Sequence, residues 1–162
     1  MTLRNNAFMG NTSNQFAAAL GGGTYGAPAG NVFVLEHNTF LGNASPYHVA
    51  ALLEATVTMV GNVVSGSTST VGDVSFADYG TSTVGLSYNA WFDNVGGGDA
   101  DFALGATDLV GVDPMLSGVG GTCSWDRIRP VAGSPLIDGN PTLLDADGSA
   151  ADIGATGGPS AP

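Results

Sequence analysis

Apolar and polar residues alternate along the first part of the chain, and the alternation keeps returning to one short phrase. In FVLEHN (33–38), Phe33 and Leu35 alternate with Val34 and Glu36. In TVTMVGN (56–62), Val57 and Met59 alternate with Thr56 and Thr58, and in STVGLSYN (82–89) Val84 and Leu86 alternate with Thr83 and Ser87. Period-two alternation rich in Val, Thr and aromatics predicts strands. Each of these stretches ends on an Asn that opens the phrase: NTFLGN from Asn38, NVVSGS from Asn62 and NAWFDN from Asn89. NAFMGN from Asn6 is the first copy. A large apolar residue stands two places after each Asn (Phe8, Phe40, Val64, Trp91), and Gly or Asp follows at the fifth place (Gly10, Gly42, Gly66, Asp93). Between copies, 16–20, 47–54 and 73–79 are further strand candidates; 48–55 also has apolar residues at helical spacing, but its place in the repeat favours a strand.

The copies begin 32, 24 and 27 residues apart, the spacing of solenoid coils. Hairpins would reverse every second strand and would not place the same turn after the same face. Parallel strands stacked in register do both. Equivalent residues then lie about 4.8 Å apart in columns. Phe8, Phe40 and Trp91 are predicted to point into the core. Asn6, Asn38, Asn62 and Asn89 are predicted to form a structural ladder at the corner, amide to amide, with the Asn itself in the left-handed conformation that a sharp bend needs. Met1 already stands five places before the first Asn, in register with Phe33, Val57 and Val84. The expectation is a piece of a longer protein, with further coils before it and no leader sequence in this chain.

Composition sharpens this picture. The 26 Gly residues argue against long helices, since each costs about 1 kcal/mol relative to Ala inside one. The charge balance is 14 acidic residues against Arg4, Arg127 and Arg129, a net −11. Nucleic-acid binding needs cationic neutralisation of phosphates, so that class is excluded. Anionic lipids and polyanions are disfavoured on the same ground. Cys123 is the only cysteine, so there is no internal disulfide and no Cys-rich metal site. No apolar run reaches the roughly 20 residues that span a membrane.

The repeated phrase resembles that of right-handed parallel β-helix proteins of the pectin-lyase-like class, over residues 1–94. The handedness agrees with the crossover rule for parallel strands. DPML (113–116), RIRPVAGSPLIDGN (127–140) and DADGSAADIGA (145–155) resemble the closing segment of choice-of-anchor Q domain proteins, which are bacterial secreted or surface β-helix proteins. Ala155 is followed by TGGP rather than by an aromatic and Glu, and Ala150 or Ala151 stands where that family often has Arg. The resemblance implies an all-β, right-handed parallel β-helix of about four coils (1–95), an irregular C-terminal cap and tail (96–162), and an extracellular or cell-surface location. It implies no chemistry, because this fold serves lyases, hydrolases, epimerases and adhesins alike.

Candidate chemistry is sparse. Asp145, Asp147 and Ser149 alternate, with Asp152 three places on, as oxygen ligands of a Ca²⁺ loop do; the alternative is a plain turn. Gly96 to Phe102 resembles one degenerate half of a Ca²⁺-binding nonapeptide; the alternative is a flexible exit loop. No cofactor is expected; Ca²⁺ is the one ion that the pattern offers as an alternative. His37 occupies a column otherwise filled by Asn5, Gly61 and Tyr88, which reads as a surface position, and His48 reads as a loop residue. Arg127 and Arg129 read as ties to local Asp residues or carbonyls. The Lys/Arg-with-Asp, Gly-His-Gly and Asp-Pro-His-Glu patterns of catalytic β-helix proteins do not occur. Glycosidase work needs two carboxylates at a fixed gap; the outward acids of the repeat region are Glu36, Glu54, Asp73, Asp78 and Asp93, and nothing singles out a pair such as Asp73/Asp78. Thr56, Thr58, Thr81 and Thr83 do not align into an ice-binding array. The predicted function is a non-catalytic structural or adhesive end-module, monomeric, with polysaccharide or cell-surface glycans as partners. The alternative is a fragment of a carbohydrate-active enzyme, a polysaccharide lyase or glycoside hydrolase.

Overall fold

The computed structural model describes residues 1–23, 30–53, 55–71, 75–79, 83–118, 124–159 and 161. These residues form an all-β structure whose single helical turn is the 3-10 segment Trp125–Ile128. Three parallel sheets dominate. Sheet I stacks Thr2–Arg4, Asn31–Glu36, Ala55–Val60 and Thr83–Ser87. Sheet II stacks Ala7–Met9, Thr39–Leu41, Val63–Ser65, Ala90–Phe92 and Leu109–Val110. Sheet III stacks Ala17–Gly23, His48–Leu53 and Phe76–Tyr79. A narrower parallel pair, Ala44–Ser45 with Thr68–Ser69, lies between sheets II and III in chain order, and the bridges Thr12 to Ala44 and Thr68 to Val95 extend it.

The register follows the phrase. Leu3, Leu35, Met59 and Leu86 are successive partners in sheet I. Phe8, Phe40, Val64 and Trp91 are successive partners in sheet II. These columns meet sheet III in one core containing Phe33, Leu35, Phe40, Val57, Met59, Val64, Phe76 and Trp91. Phe8 stacks flat on Phe40, centroids 4.7 Å apart. Phe76 sets its ring at 88° to both Phe40 and Trp91. Each such side chain contributes about 1.5–3 kcal/mol by leaving water. Residues 48–53 are strand, not helix, because they pair on both sides with strands of neighbouring copies.

The inner strands of sheet II, Thr39–Leu41, Val63–Ser65 and Ala90–Phe92, are covered on both faces. Val63 and Ala90, which point away from the first core, pack with Leu136 and Ile153 of the tail in a second cluster. This is why Phe40-Leu41, Val63-Val64 and Ala90-Trp91-Phe92 set apolar residues side by side rather than in alternation. The tail itself carries an antiparallel pair, Asn140–Leu144 with Ala150–Ala151.

Two features depart from the sequence reading. Parallel pairing runs on past residue 95: Leu109 and Val110 pair with Ala90 and Trp91, and Phe76 bridges to Ala100. The left-handed corner residue is not the ladder Asn but the one before it. Asn5, His37, Gly61 and Tyr88 have φ of 51°, 51°, 66° and 55°. The ladder Asn must keep its amide directed along the stack, so the bend falls one residue earlier. The second turn is as expected, with Gly10, Gly42, Gly66 and Asp93 at φ of 61°, 62°, 61° and 53°.

Candidate functional site: the asparagine ladder and the tail clasp

The ladder is built from extended strands that deliver one Asn per copy to the same corner. Asn6 Nδ2 donates to Asn38 Oδ1 at 3.1 Å, Asn38 to Asn62 at 3.0 Å, and Asn62 to Asn89 at 2.9 Å. Each backbone N–H donates to the same acceptor oxygen, at 2.9 to 3.0 Å. The second amide proton reaches back one copy, from Asn38 to Leu3 O, Asn62 to Leu35 O and Asn89 to Met59 O. Asn38, Asn62 and Asn89 are fully buried, and a buried amide left unpaired costs about 1–3 kcal/mol. A second column at the sixth place is partial. Asn11 Nδ2 donates to Asn43 Oδ1, but Ser67 is too short to continue it and its hydroxyl has no partner among the described residues.

The ladder ends on a residue that the repeat did not announce. Asp108 Oδ1 accepts from Asn89 N and Nδ2, and Oδ2 accepts from Trp91 Nε1 and Gly105 N. A carboxylate accepts from four donors and offers none, so it closes the series. Its signal was the Leu109-Val110 pair that follows it, in register with Ala90-Trp91.

The corner column is the track on which the tail docks. Asn5 Nδ2 donates to Ala155 O and Gly157 O at 3.1 and 2.6 Å. Thr39 Oγ1 accepts from Ala155 N, and Gly61 O accepts from Gly154 N at 2.7 Å. His37 lies beneath the tail. It is 3% exposed, which corrects the surface reading. Its Nδ1 stands 3.0 Å from Asp152 O. A carbonyl can only accept, so Nδ1 carries the proton and Nε2 is bare; Nε2 is buried without a partner among the described residues. Burial therefore holds the imidazole pKa below its ordinary 6.5, against the opposing hydrogen bond and the nearby Asp145, Glu36 and Asp152 charges. A Cβ on Gly61 or Gly158 would meet the ring at 2.7 or 2.8 Å, so glycine is required on both sides of it.

The acidic tail residues hold turns. Asp145 Oδ2 accepts from Asp152 N at 3.1 Å, and Oδ1 accepts from Gly158 N. Asp147 accepts from Ser149 N and Oγ, which lowers its pKa. Asp152 accepts from Asp138 N at 2.9 Å; partial burial raises its pKa, with nearby Asp145, Asp138 and Asp147 adding to the rise. Asp145 and Asp152 are thus brought together through the backbone, while Asp147 and Ser149 bond each other. Among the described residues, no group of three or more His, Cys, Asp or Glu side chains stands where it could hold a metal.

A cleft of about 280 Å³ opens beside His37, lined by Arg4, Asn5, Glu36, His37, Leu143 and Pro159. Arg4 and Glu36 form an ion pair across neighbouring strands of sheet I. The pair cancels its own charge and leaves the cleft without a strong field. His48 is a buried first residue of a sheet III strand rather than a loop residue. Arg129 pairs loosely with Asp126 at 3.7 Å, as expected, whereas Arg127 Nε is buried with no partner among the described residues. Cys123, Glu54, Asp73 and Thr81 lie outside the described residues. No helix among the described residues is long and apolar enough to cross a membrane. Comparison with protein-family models, with curated proteins and with solved structures returned no match for this chain.

Proposed function

We propose that the stacked sheets form a right-handed parallel β-helix of about four coils, of the pectin-lyase-like class, closed by a tail of the choice-of-anchor Q type. In this reading the chain is a structural and adhesive end-module of a secreted or surface protein, non-catalytic, with glycans as its partners. One observation carries it: an asparagine ladder that ends on Asp108, beside a tail clasped along the corner column. Recurrent polar groups are spent on stacking and closure. The charge of −11 selects neutral over acidic glycans as ligands. The self-neutralised Arg4–Glu36 cleft suits the same class. The test is a titration with neutral oligosaccharides and polyuronides, with and without Ca²⁺, followed for both binding and bond cleavage. Binding without cleavage supports the module; robust cleavage overturns it. The alternative of a polysaccharide lyase or glycoside hydrolase fragment draws on the same cleft, with Glu36 beside Arg4 and His37. It requires cleavage that Glu36→Gln abolishes.

A further inference from the structure

The ladder has a direction, and its direction leaves one end incomplete. Every internal rung receives two donors from the copy before it and gives two to the copy after it. Asn6 gives its two to Asn38. Its own Oδ1 receives none among the described residues, and the same holds for Asn11 Oδ1 in the second column. The remaining Asn6 amide proton shows the same deficit. In Asn38, Asn62 and Asn89 it bonds a carbonyl of the preceding copy. In Asn6 it turns back onto Arg4 O, two residues away, at 2.9 Å. Thr2–Arg4 is the outermost strand of sheet I. Leu3 and Phe8 are half-buried, whereas their partners Leu35 and Phe40 are fully buried. A cleft of about 360 Å³ lies against Asn5, Asn6, Ala7, Phe8 and Met9, with Ser124 and Trp125 also lining it.

We infer that this end is an acceptor for one further polypeptide segment bearing the same Asn-x-aromatic-x-Gly-Asn phrase, laid parallel to Thr2–Arg4. Its first Asn donates through N–H and Nδ2 to Asn6 Oδ1. Its last Asn donates likewise to Asn11 Oδ1. The carbonyl three residues before its first Asn receives the Asn6 amide proton now held by Arg4 O. Its aromatic residue lies over Phe8, as Phe8 lies over Phe40. Main-chain pairing supplies affinity and the ladder supplies register, the logic of strand addition at a sheet edge. A second copy of this chain does not fit. Its opposite end presents Asp108, whose oxygens already accept four hydrogen bonds and donate none. Two Asn6 ends brought face to face would set acceptor against acceptor with strands reversed. The inference rests on the coiled reading above, which unfolding of Asp108 variants tests separately.

The probe is a synthetic peptide of residues 33–44 (FVLEHNTFLGNA), added to the full chain. Trp125, exposed at the cleft, reports occupancy by fluorescence, and the side-chain amides of Asn6 and Asn11 report it by NMR. Saturable binding is expected, with shifts confined to residues 2–11 and Trp125. A peptide carrying Asn38→Leu should bind at least ten-fold more weakly. Equal binding of both peptides, or no saturation, overturns the inference. So does self-association of the protein that the native peptide does not compete away. Should the peptide aggregate, the same segment joined ahead of Met1 provides the second measurement. The native segment should raise the melting temperature and the Asn38→Leu segment should not; equal effects overturn the inference.

Discussion

The two ends of the ladder differ by one side-chain atom, an amide nitrogen at Asn6 against a carboxylate oxygen at Asp108, and behave oppositely. At Asp108 two oxygens absorb every donor that arrives, including the indole of Trp91, and the half-buried carboxylate stops the series. At Asn6 an acceptor faces outward and an amide proton bends back onto its own strand. The difference shows that a hydrogen-bonded column needs a residue of different valence to end it. Asn continues a column because it both gives and takes; Asp ends one because it only takes.

The largest test of this contrast lies between the ends. Asn62→Leu strands the Asn38 donors and the Leu35 carbonyl and takes one of its two Asn62 donors from the Asn89 oxygen. It should cost about 4 kcal/mol in urea unfolding, several buried groups at about 1–3 kcal/mol each. A loss under 1 kcal/mol would mean that the columns of Leu, Phe and Trp hold the stack without the ladder. Asp108→Asn changes the closed end by one atom. Whichever way the amide turns, an NH₂ faces either Asn89 or the Trp91 and Gly105 donors. The expected cost is about 2 kcal/mol, with a red shift of Trp91 emission; an unchanged midpoint would show that valence does not close the ladder.

Gly158→Ala asks whether the tail steadies the open end. The new Cβ meets the His37 ring at 2.8 Å, at a φ of 79°. A cost of about 2 kcal/mol is expected, with faster amide exchange at Gly154 and Ala155; unchanged exchange would separate the tail from the corner column. Acid should loosen the same clasp. The folded-state pKa of His37 lies below its unfolded value of 6.5, so the unfolded chain binds the proton more readily. Its contribution is complete above 6.5 and declines as pH falls through that value toward the folded pKa. His37→Gln should flatten this part of the stability profile, and an unaltered slope would locate the titration elsewhere. The smallest effect belongs to Asn6→Leu. Removing the half-exposed end rung should cost less than about 1 kcal/mol, far below Asn62→Leu; equal losses at the two positions would remove the distinction between end and middle.

Much of the stack was legible because its period is carried by residues that also bury. Phe8, Phe40 and Trp91 recur two places after Asn, and their partners in sheet II follow that spacing. The clasp was not legible. His37 shares its column with Asn5, Gly61 and Tyr88, and such variety reads as exposure. What those residues share is a positive φ, a backbone property that hydrophobic periodicity does not record. The partner that buries His37 is 115 residues away, so no local pattern contains it. Asp108 escaped notice for a related reason: it does the work of Asn under another letter, 19 residues after Asn89.

By itself the sequence determined which side chains of the repeated phrase face inward and which stack, because a strand period of two and a recurring phrase leave one register that brings Phe8, Phe40, Val64 and Trp91 into one column. Only the tertiary structure decided where the ladder stops, which corner residue bends and what covers it. Those outcomes depend on hydrogen-bond valence and on contacts between distant segments, and both become definite only once the copies lie on one another.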